Sequence, residues 1–302
     1  MEGRPSRSRG FINGEWTTLP RLTVIMPAYR AGATVESAMR STLRAMPRDA
    51  ELVVSVDGPD AETERAARRV TDRRVVVRAN PVNRGTVACM RHALETTDSE
   101  LVAKMDADDV CLPWRFCVEL AAMRHADIVC GSGIRFGHRA VPRPSYLGSL
   151  TSKEVGLLLP FTNPLFHPSL LARRQTLLDA NAYATPSAAE DYVLWVDALL
   201  NGSTIHKTAT AVIAYRISAN QISGAPDYLR RVEDDPQVDR AYRAWVEALG
   251  MSWLMDNGGG TMHPVATRAQ LEDVVARVRP RTRPYMRRQL RRNATLIPAP
   301  AC

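Results

Sequence analysis

The stretch Leu101-Val102-Ala103-Lys104-Met105-Asp106-Ala107-Asp108-Asp109-Val110 decides how the chain is read. A short apolar run bounded by polar residues reads as a buried strand. This one ends in three carboxylates, and crowded carboxylates are costly unless a cation neutralises them. Oxygen ligands suit Mg²⁺ or Mn²⁺, which one or two carboxylates commonly hold while nucleotide phosphates supply the rest. In open α/β sheets, ligands sit at the carboxyl ends of strands. Asp106 and Asp108 are therefore expected at a metal–diphosphate site. Asp-x-Asp alone is a weak signal. A solvated acidic turn, or a cap for a helix starting near Leu112, has the same pattern.

Upstream, Leu22-Thr23-Val24-Ile25-Met26 reads as the first strand, closed by Pro27. Residues 33–45 carry apolar side chains at helical intervals (Val35, Ala38, Met39, Thr42, Leu43). Leu52-Val53-Val54-Ser55-Val56 is a second strand, and Asp57-Gly58-Pro59-Asp60 a turn. A charged helix over about 61–70, a strand at Val75-Val76-Val77, a loop at 80–85 and a helix over 86–95 lead to the strand ending at Asp106. Strands alternating with helices imply a parallel sheet. Pro27, Asp57 and Asp106 should then share one rim. No glycine fingerprint follows the first strand, which continues Pro27-Ala28-Tyr29-Arg30-Ala31-Gly32, and no phosphate-cradling P-loop occurs. A Rossmann dehydrogenase and a P-loop ATPase are excluded on that ground.

In order and spacing these segments resemble the family 2 glycosyltransferases, with their GT-A nucleotide-diphospho-sugar fold. Thr23 to Tyr29 resembles that family's first strand, and Glu51 to Asp60 its second strand and acidic-glycine turn. Asn83-Arg84-Gly85 is similar to its Asn-x-Gly loop. Asp106-Ala107-Asp108-Asp109 followed by Pro113 resembles its Asp-x-Asp-Asp motif. Glu190-Asp191-Tyr192-Val193-Leu194-Trp195 is similar to its Glu-Asp-Tyr-x-Leu-Trp segment. Tyr215-Arg216-Ile217, with Gln221 and Ser223, resembles its Tyr-Arg element. The likeness runs from about Leu22 to Ser223. Three positions depart from it. Val56 stands where a second acid often precedes the glycine turn, Ser218 where a histidine is usual, and Arg30 where an asparagine is common.

The resemblance implies roles. Asp108 would ligate Mn²⁺ or Mg²⁺ directly, and Asp106 would hold the ribose or the metal's water shell. Asp57 would contact the base or ribose, with Pro27, Ala28 and Tyr29 as the pocket edge, and Arg84 would reach the diphosphate. Asp191 would deprotonate the acceptor hydroxyl, giving inversion in one displacement. Its position in the first turn of an amphipathic segment is also what helix-dipole complementation alone would place there. Glu190, His167, Asp109, Trp195 and Arg216 are the candidates for acceptor contact or support. Asp109 is as well suited to capping a helix before Pro113 and Trp114.

The bulk numbers bound this reading. The chain has 302 residues, 45% hydrophobic, and a net charge of +8, with only Lys104, Lys153 and Lys207 as lysines. That balance permits phosphate-bearing substrates, an anionic membrane surface or nucleic acid as partners. No apolar run reaches the roughly 18–20 residues of a membrane span. The Arg-rich start lacks an apolar core, so no signal peptide is expected. Five cysteines with no Cys-x-x-Cys pair suggest neither disulfides nor zinc. Cys89, Cys111, Cys117 and Cys130 read as packing thiols of a cytoplasmic protein.

The expected architecture is α/β, with a mostly parallel GT-A sheet flanked by helices. Residues 1–20 form a loose basic leader, with Phe11, Ile12 and Trp16 as docking points. Residues 21–223 form the transferase domain, its donor half at about 21–134 and its acceptor half at about 135–223. Residues 224–302 form a helical, Arg-rich extension. The stretch 135–164 reads as irregular, a lid or binding loop with one short helix near 153–159. Residues 228–249 and 267–278 read as helices, separated by Gly258-Gly259-Gly260. The arginines of the tail suit a packed or solvated helix first, a membrane surface second and nucleic acid third. The expected activity is transfer of a sugar, by preference from a uridine-diphosphate donor, to a hydroxyl of a glycan, glycolipid or protein. The rivals are a sugar- or lipid-binding scaffold without turnover and a sugar-phosphate nucleotidyltransferase.

Overall fold

A computed structural model of the chain describes residues 9–12, 15–18, 21–137, 140–218, 225–256 and 264–297. Gln221, Ser223, the glycine run 258–260 and Cys302 lie outside them. The leader is not loose throughout. β1 (Arg9–Ile12) and β2 (Glu15–Thr18) form an antiparallel hairpin, with Phe11 opposite Trp16.

The donor half alternates as the sequence implies: β3 (Leu22–Ala28), α1 (Val35–Ala45), β4 (Ala50–Val56), α2 (Ala61–Arg68), β5 (Val75–Ala79), α3 (Gly85–Thr96) and β6 (Leu101–Lys104). These four strands are parallel in the order β5-β4-β3-β6. The near-continuous apolar runs of β3, β4 and β6 follow from burial on both faces, while β5 at the edge is half-buried. Along β3, Val24 and Met26 enter one core with Val35, Met39, Leu52 and Val54, while Ile25 enters the other with Met90, Leu94 and Val102. β3 runs through Pro27, where a stop was expected. Its β6 neighbour ends at Ile25↔Lys104, so the missing proline N–H breaks no ladder there.

The acceptor half adds β7 (Val110–Cys111), α4 (Arg115–Ala122), β8 (Ile128–Gly137), β9 (Ala140–Pro144), α5 (Ser152–Leu158), β10 (Leu171–Arg173), α6 (Arg174–Asp179), α7 (Glu190–Leu200) and β11 (Ile205–Arg216). The sheet continues β6-β10-β8-β11-β7, with β9 paired to β8. Strands β3, β4, β5, β6, β8 and β11 run one way and β7, β9 and β10 the other, so the sheet is mostly parallel. The stretch 135–164 is only partly irregular, and α5 lies where its one short helix was expected. The end of β8 and all of β9 form a hairpin within it, and Pro142 and Pro144 are tolerated because β9 pairs on one side only.

Beyond β11 come α8 (Tyr228–Glu233), α9 (Pro236–Ala248), α10 (Trp253–Asp256), β12 (Val265–Thr267), α11 (Arg268–Ala276), α12 (Arg283–Asn293) and β13 (Thr295–Ile297). The single helix expected over 228–249 is two, because Asp235 caps α9 with Pro236 in its first turn. Val238, Tyr242, Val246, Val274, Met286 and Leu290 join the core that holds Ile25, Trp195 and Leu194. Arg279 is hydrogen-bonded and ion-paired to Glu154, whose side chain is 1% exposed. Tyr285 stacks on Tyr146 with ring centroids 3.6 Å apart. Among the described residues no helix is long and apolar enough to cross a membrane. Cys89, Cys111 and Cys130 are buried thiols, but Cys117 is exposed, contrary to its reading as a packing residue.

Candidate active site

The strand ends converge as the parallel order requires. One open cleft of about 2090 Å³ is lined by Pro27, Ala28, Tyr29, Asp57, Arg84, Asp106 and Asp108 together with His167, Glu190, Asp191 and Arg216. Two further candidates do not line it. Asp109 lies behind the acidic turn. Trp195 is fully buried in the core, so it has no surface for an acceptor. It stands edge-on to His167 instead, with centroids 5.9 Å apart.

At the first rim, β3 is followed by Tyr29, half exposed, and by Arg30, whose φ of 50° is left-handed. Asparagine tolerates that conformation better than arginine does, which accounts for its frequency in the pattern this position departs from. Arg30 is held there by its N–H, which donates to Asp60 Oδ2 at 2.6 Å. Asp57 is buried. Its Oδ1 accepts from the Arg84 N–H at 2.9 Å and its Oδ2 from the Gly85 N–H at 2.8 Å. Asp57 thus fixes the Asn83-Arg84-Gly85 loop at the start of α3, where Gly85 sits at φ 83°. The arrangement sets the Arg84 side chain on the cleft wall.

The acidic turn after β6 is braced from three directions. Lys104, only 3% exposed, is ion-paired with Asp106. Lys104 ends the strand two residues before Asp106, and a lysine inside this apolar run signals a partner. Arg115 and Glu119 are fully buried beneath the turn. Arg115 Nη2 donates to the Lys104 carbonyl at 2.8 Å, and Arg115 Nε donates to Glu119 Oε2 at 3.0 Å. From β11, the Arg216 N–H donates to Asp109 Oδ1 and its Nε to the Asp108 carbonyl, both at 2.7 Å. Asp109 therefore does not cap α4, whose N-cap position is Trp114.

Charge accumulates in this turn. Burial and the neighbouring Asp106 raise the Asp108 carboxyl above its ordinary range. The same two causes push Asp109 up to about 8, and its Oδ2 is buried without a partner. Among the described residues no three His, Cys, Asp or Glu side chains converge as an all-protein metal site. Two neighbouring carboxylates lining the cleft, Asp106 ion-paired with Lys104 and Asp108 raised by burial, fit a cation whose remaining ligands come from a diphosphate.

α7 presents Glu190 and Asp191 in its first turn, with no side-chain cap from Ala189, and both line the same cleft. Asp191 Oδ2 accepts from Asn163 Nδ2 at 2.7 Å, and burial followed by the Glu190 charge raises its carboxyl. Burial would also raise Glu190. The His167 ring, with Nδ1 3.6 Å from Glu190 Oε1, overcomes this and holds Glu190 low. His167 Nε2 lies 2.7 Å from the Tyr183 hydroxyl. Two adjacent carboxylates are thus driven apart, Glu190 toward the charged form and Asp191 toward basicity. That division suits a charge-holder beside a general base. The loop before α7 is fixed by the C-terminal extension, since Asp235 Oδ2 accepts from the Ala188 N–H at 2.6 Å and the Ser187 hydroxyl at 2.9 Å.

Sequence reasoning did not single out Lys104, Asn163, Tyr183 or Asp235. It also did not bring the tail to the cleft, where Tyr285, Arg288, Gln289, Arg292 and Asn293 form part of the wall. The three- and four-residue spacing of Tyr285, Arg288, Gln289 and Arg292 is the signal of a shared helix face, but nothing local says what that face meets.

A model of "Glycosyl transferase family 2" matches residues 23–181, more than half of the chain. The chain is 28% identical over 182 residues to the O-antigen biosynthesis glycosyltransferase WbnJ of Escherichia coli, covering 59% of this chain and 71% of that one. It is 23% identical over 208 residues to the E. coli UDP-Glc:alpha-D-GlcNAc-diphosphoundecaprenol beta-1,3-glucosyltransferase WfgD, covering 67% and 79%. Among solved structures it is similar to S. aureus TarS 1–349 in complex with UDP-GlcNAc, with a TM-score of 0.58 at 19% identity over 90% of this chain and 88% of that one. At that identity the likeness speaks for the fold, and it agrees with the GT-A architecture expected from the sequence.

Proposed function

The chain belongs to glycosyl transferase family 2, and from that premise we propose how its cleft works. It is a glycosyltransferase that draws on a nucleotide-sugar donor. The finer reading is transfer from a uridine-diphosphate sugar, with inversion, to a hydroxyl of a glycan or glycolipid. One observation carries this. Asp106 and Asp108, which follow a strand end, and Asp191, at a helix start, line one cleft.

In this reading the donor lies against Pro27, Ala28 and Tyr29, with Asp57 holding the Arg84 loop beside the diphosphate. Asp191 takes the proton of the acceptor hydroxyl as its oxygen attacks the anomeric carbon. The bond from that carbon to the diphosphate breaks, and the electron pair leaves on the phosphate oxygen. Attack from the Asp191 side, opposite the leaving group, inverts the carbon. His167 keeps Glu190 ionised, so the proton goes to Asp191. Mg²⁺ or Mn²⁺, held by Asp108 with Asp106 at its shell, would neutralise charge on the departing diphosphate. Arg216 keeps the acidic turn in register with β11.

The similarity to WfgD favours a lipid-borne glycan as acceptor. Such acceptors place the reaction at the cytoplasmic face of a membrane. Any contact with an anionic lipid surface would then use exposed arginines of the C-terminal extension, because the apolar side of α12 is buried. The test is calorimetric titration of UDP, GDP and dTDP with Mn²⁺, followed by UDP release from UDP-sugars with a glycolipid acceptor. Selective UDP binding with acceptor-dependent release supports the reading. Binding of none of the three nucleotides overturns it.

A further inference from the structure

The acceptor-side wall of the cleft is unusually one-signed. From β8 onward it is lined by Arg135, Arg143, Arg231, Arg288 and Arg292. Apart from Glu190 and Asp191, no carboxylate among the described residues lines that part. Two arrangements within it work against stability. Arg135 and Arg143 are directly opposite each other on paired strands, where like charges are destabilising. Arg288 and Arg292 are four apart on α12, another like-charge juxtaposition. Local conflicts of this kind concentrate where a ligand resolves them.

The wall is built. α12 buries Met286 and Leu290 on one side. Arg287, on another, pairs with Glu272 at 2.9 Å, and Arg279 before the helix pairs with Glu154. Arg288 and Arg292 share the face of Tyr285, which stacks on Tyr146 across the cleft lining. Among the described residues neither arginine has a protein hydrogen-bond or ion-pair partner. The donor end has its own cations in Arg30, Arg84 and Lys104. Guanidinium groups recognise phosphate through paired hydrogen bonds, and a concave wall of one sign concentrates the field.

Resting on the transfer reaction proposed above, we infer that the acceptor carries a phosphate or diphosphate near the sugar that receives the new residue. Arg288 and Arg292 of α12, with Arg143 and Arg135, form the subsite that binds it. The C-terminal extension thereby selects the acceptor.

The test is calorimetry on the full chain saturated with UDP, so that the donor's diphosphate site is filled. The probes are farnesyl diphosphate, inorganic pyrophosphate and farnesol. Farnesyl diphosphate should bind, and its affinity should fall as salt rises. The double variant Arg288→Glu/Arg292→Glu should weaken it at least tenfold with UDP affinity changed less than twofold, and Arg288→Gln/Arg292→Gln should weaken it by a smaller factor. Arg291→Glu, on the same helix but off the cleft, should change nothing. Pyrophosphate binding as tightly as farnesyl diphosphate supports phosphate recognition without a contribution from the lipid. Weaker pyrophosphate binding supports a lipid-linked phosphate. Farnesol binding equally well, or the double variant binding farnesyl diphosphate like the parent, overturns the inference. So does a double variant that loses only sedimentation with phosphatidylglycerol vesicles, which would assign these arginines to a membrane surface. Failure of the parent to bind UDP would instead strike at the donor reading.

Discussion

The backbone N–H of Arg216 donates to Asp109 Oδ1 at 2.7 Å across 107 residues of chain, fastening the acidic turn after β6 to the end of β11. Burial and the neighbouring Asp106 push the Asp109 carboxyl up to about 8, toward the neutral form that an asparagine imitates. Asp109→Asn should therefore melt within a few degrees of the parent. Asp109→Ala leaves a buried N–H unpaired, at a cost of about 1–3 kcal/mol. Thermal melts alongside initial rates separate the two, and equal losses for Asn and Ala would discard the hydrogen-bond explanation.

Asp191→Asn removes the proposed base while keeping the Asn163 neighbour. Transfer should drop roughly 10²–10⁴-fold with UDP affinity nearly unchanged. Because burial and Glu190 raise the Asp191 carboxyl, kcat/KM should rise with pH through a limb above the ordinary aspartate range. A limb at or below that range, or a variant with normal turnover, would place the base elsewhere.

Asp108→Ala tests the cation. UDP binding to the parent should weaken at least tenfold when Mn²⁺ is replaced by EDTA, and the variant should show the weak value with or without metal. Metal-independent binding by the parent would leave Lys104 and Arg84 as the groups that neutralise the diphosphate.

The Glu154–Arg279 pair sets an acid limit on stability. Glu154 is buried, and although burial itself raises its carboxyl, the hydrogen bonds from Arg279 and Thr151 hold it down at about 2. A depressed carboxylate stabilises the fold above its unfolded pKa near 4.5, and that contribution is lost as pH falls from there toward 2. About 2 kcal/mol should be gone by pH 3. Denaturant midpoints at pH 5 and pH 3 should differ less in Glu154→Gln than in the parent. Identical acid slopes would show that the pair does not anchor the tail.

The sequence by itself determined the donor half. Parallel strands buried on both faces must be continuously apolar, so β3, β4 and β6 announce themselves, and the acids at their ends must share a rim once the strands are parallel. Asp57, Asp106 and Asp108 were legible for that reason. Asp191 was legible only through the family pattern, since a first-turn acid is ordinary on any helix. The tertiary structure decided what each group touches. Asp57 is engaged by the amides of Arg84 and Gly85, Asp109 by Arg216, Glu190 by His167, and the loop before Asp191 by Asp235. Each of these pairings joins segments more than twenty residues apart. Local propensity carries no information about such contacts, because packing of the whole core sets them. The tail shows this most plainly. Its periodicity marked an arginine-bearing face, but the burial of Met286 and Leu290 and the Arg279–Glu154 pair turned that face into the cleft.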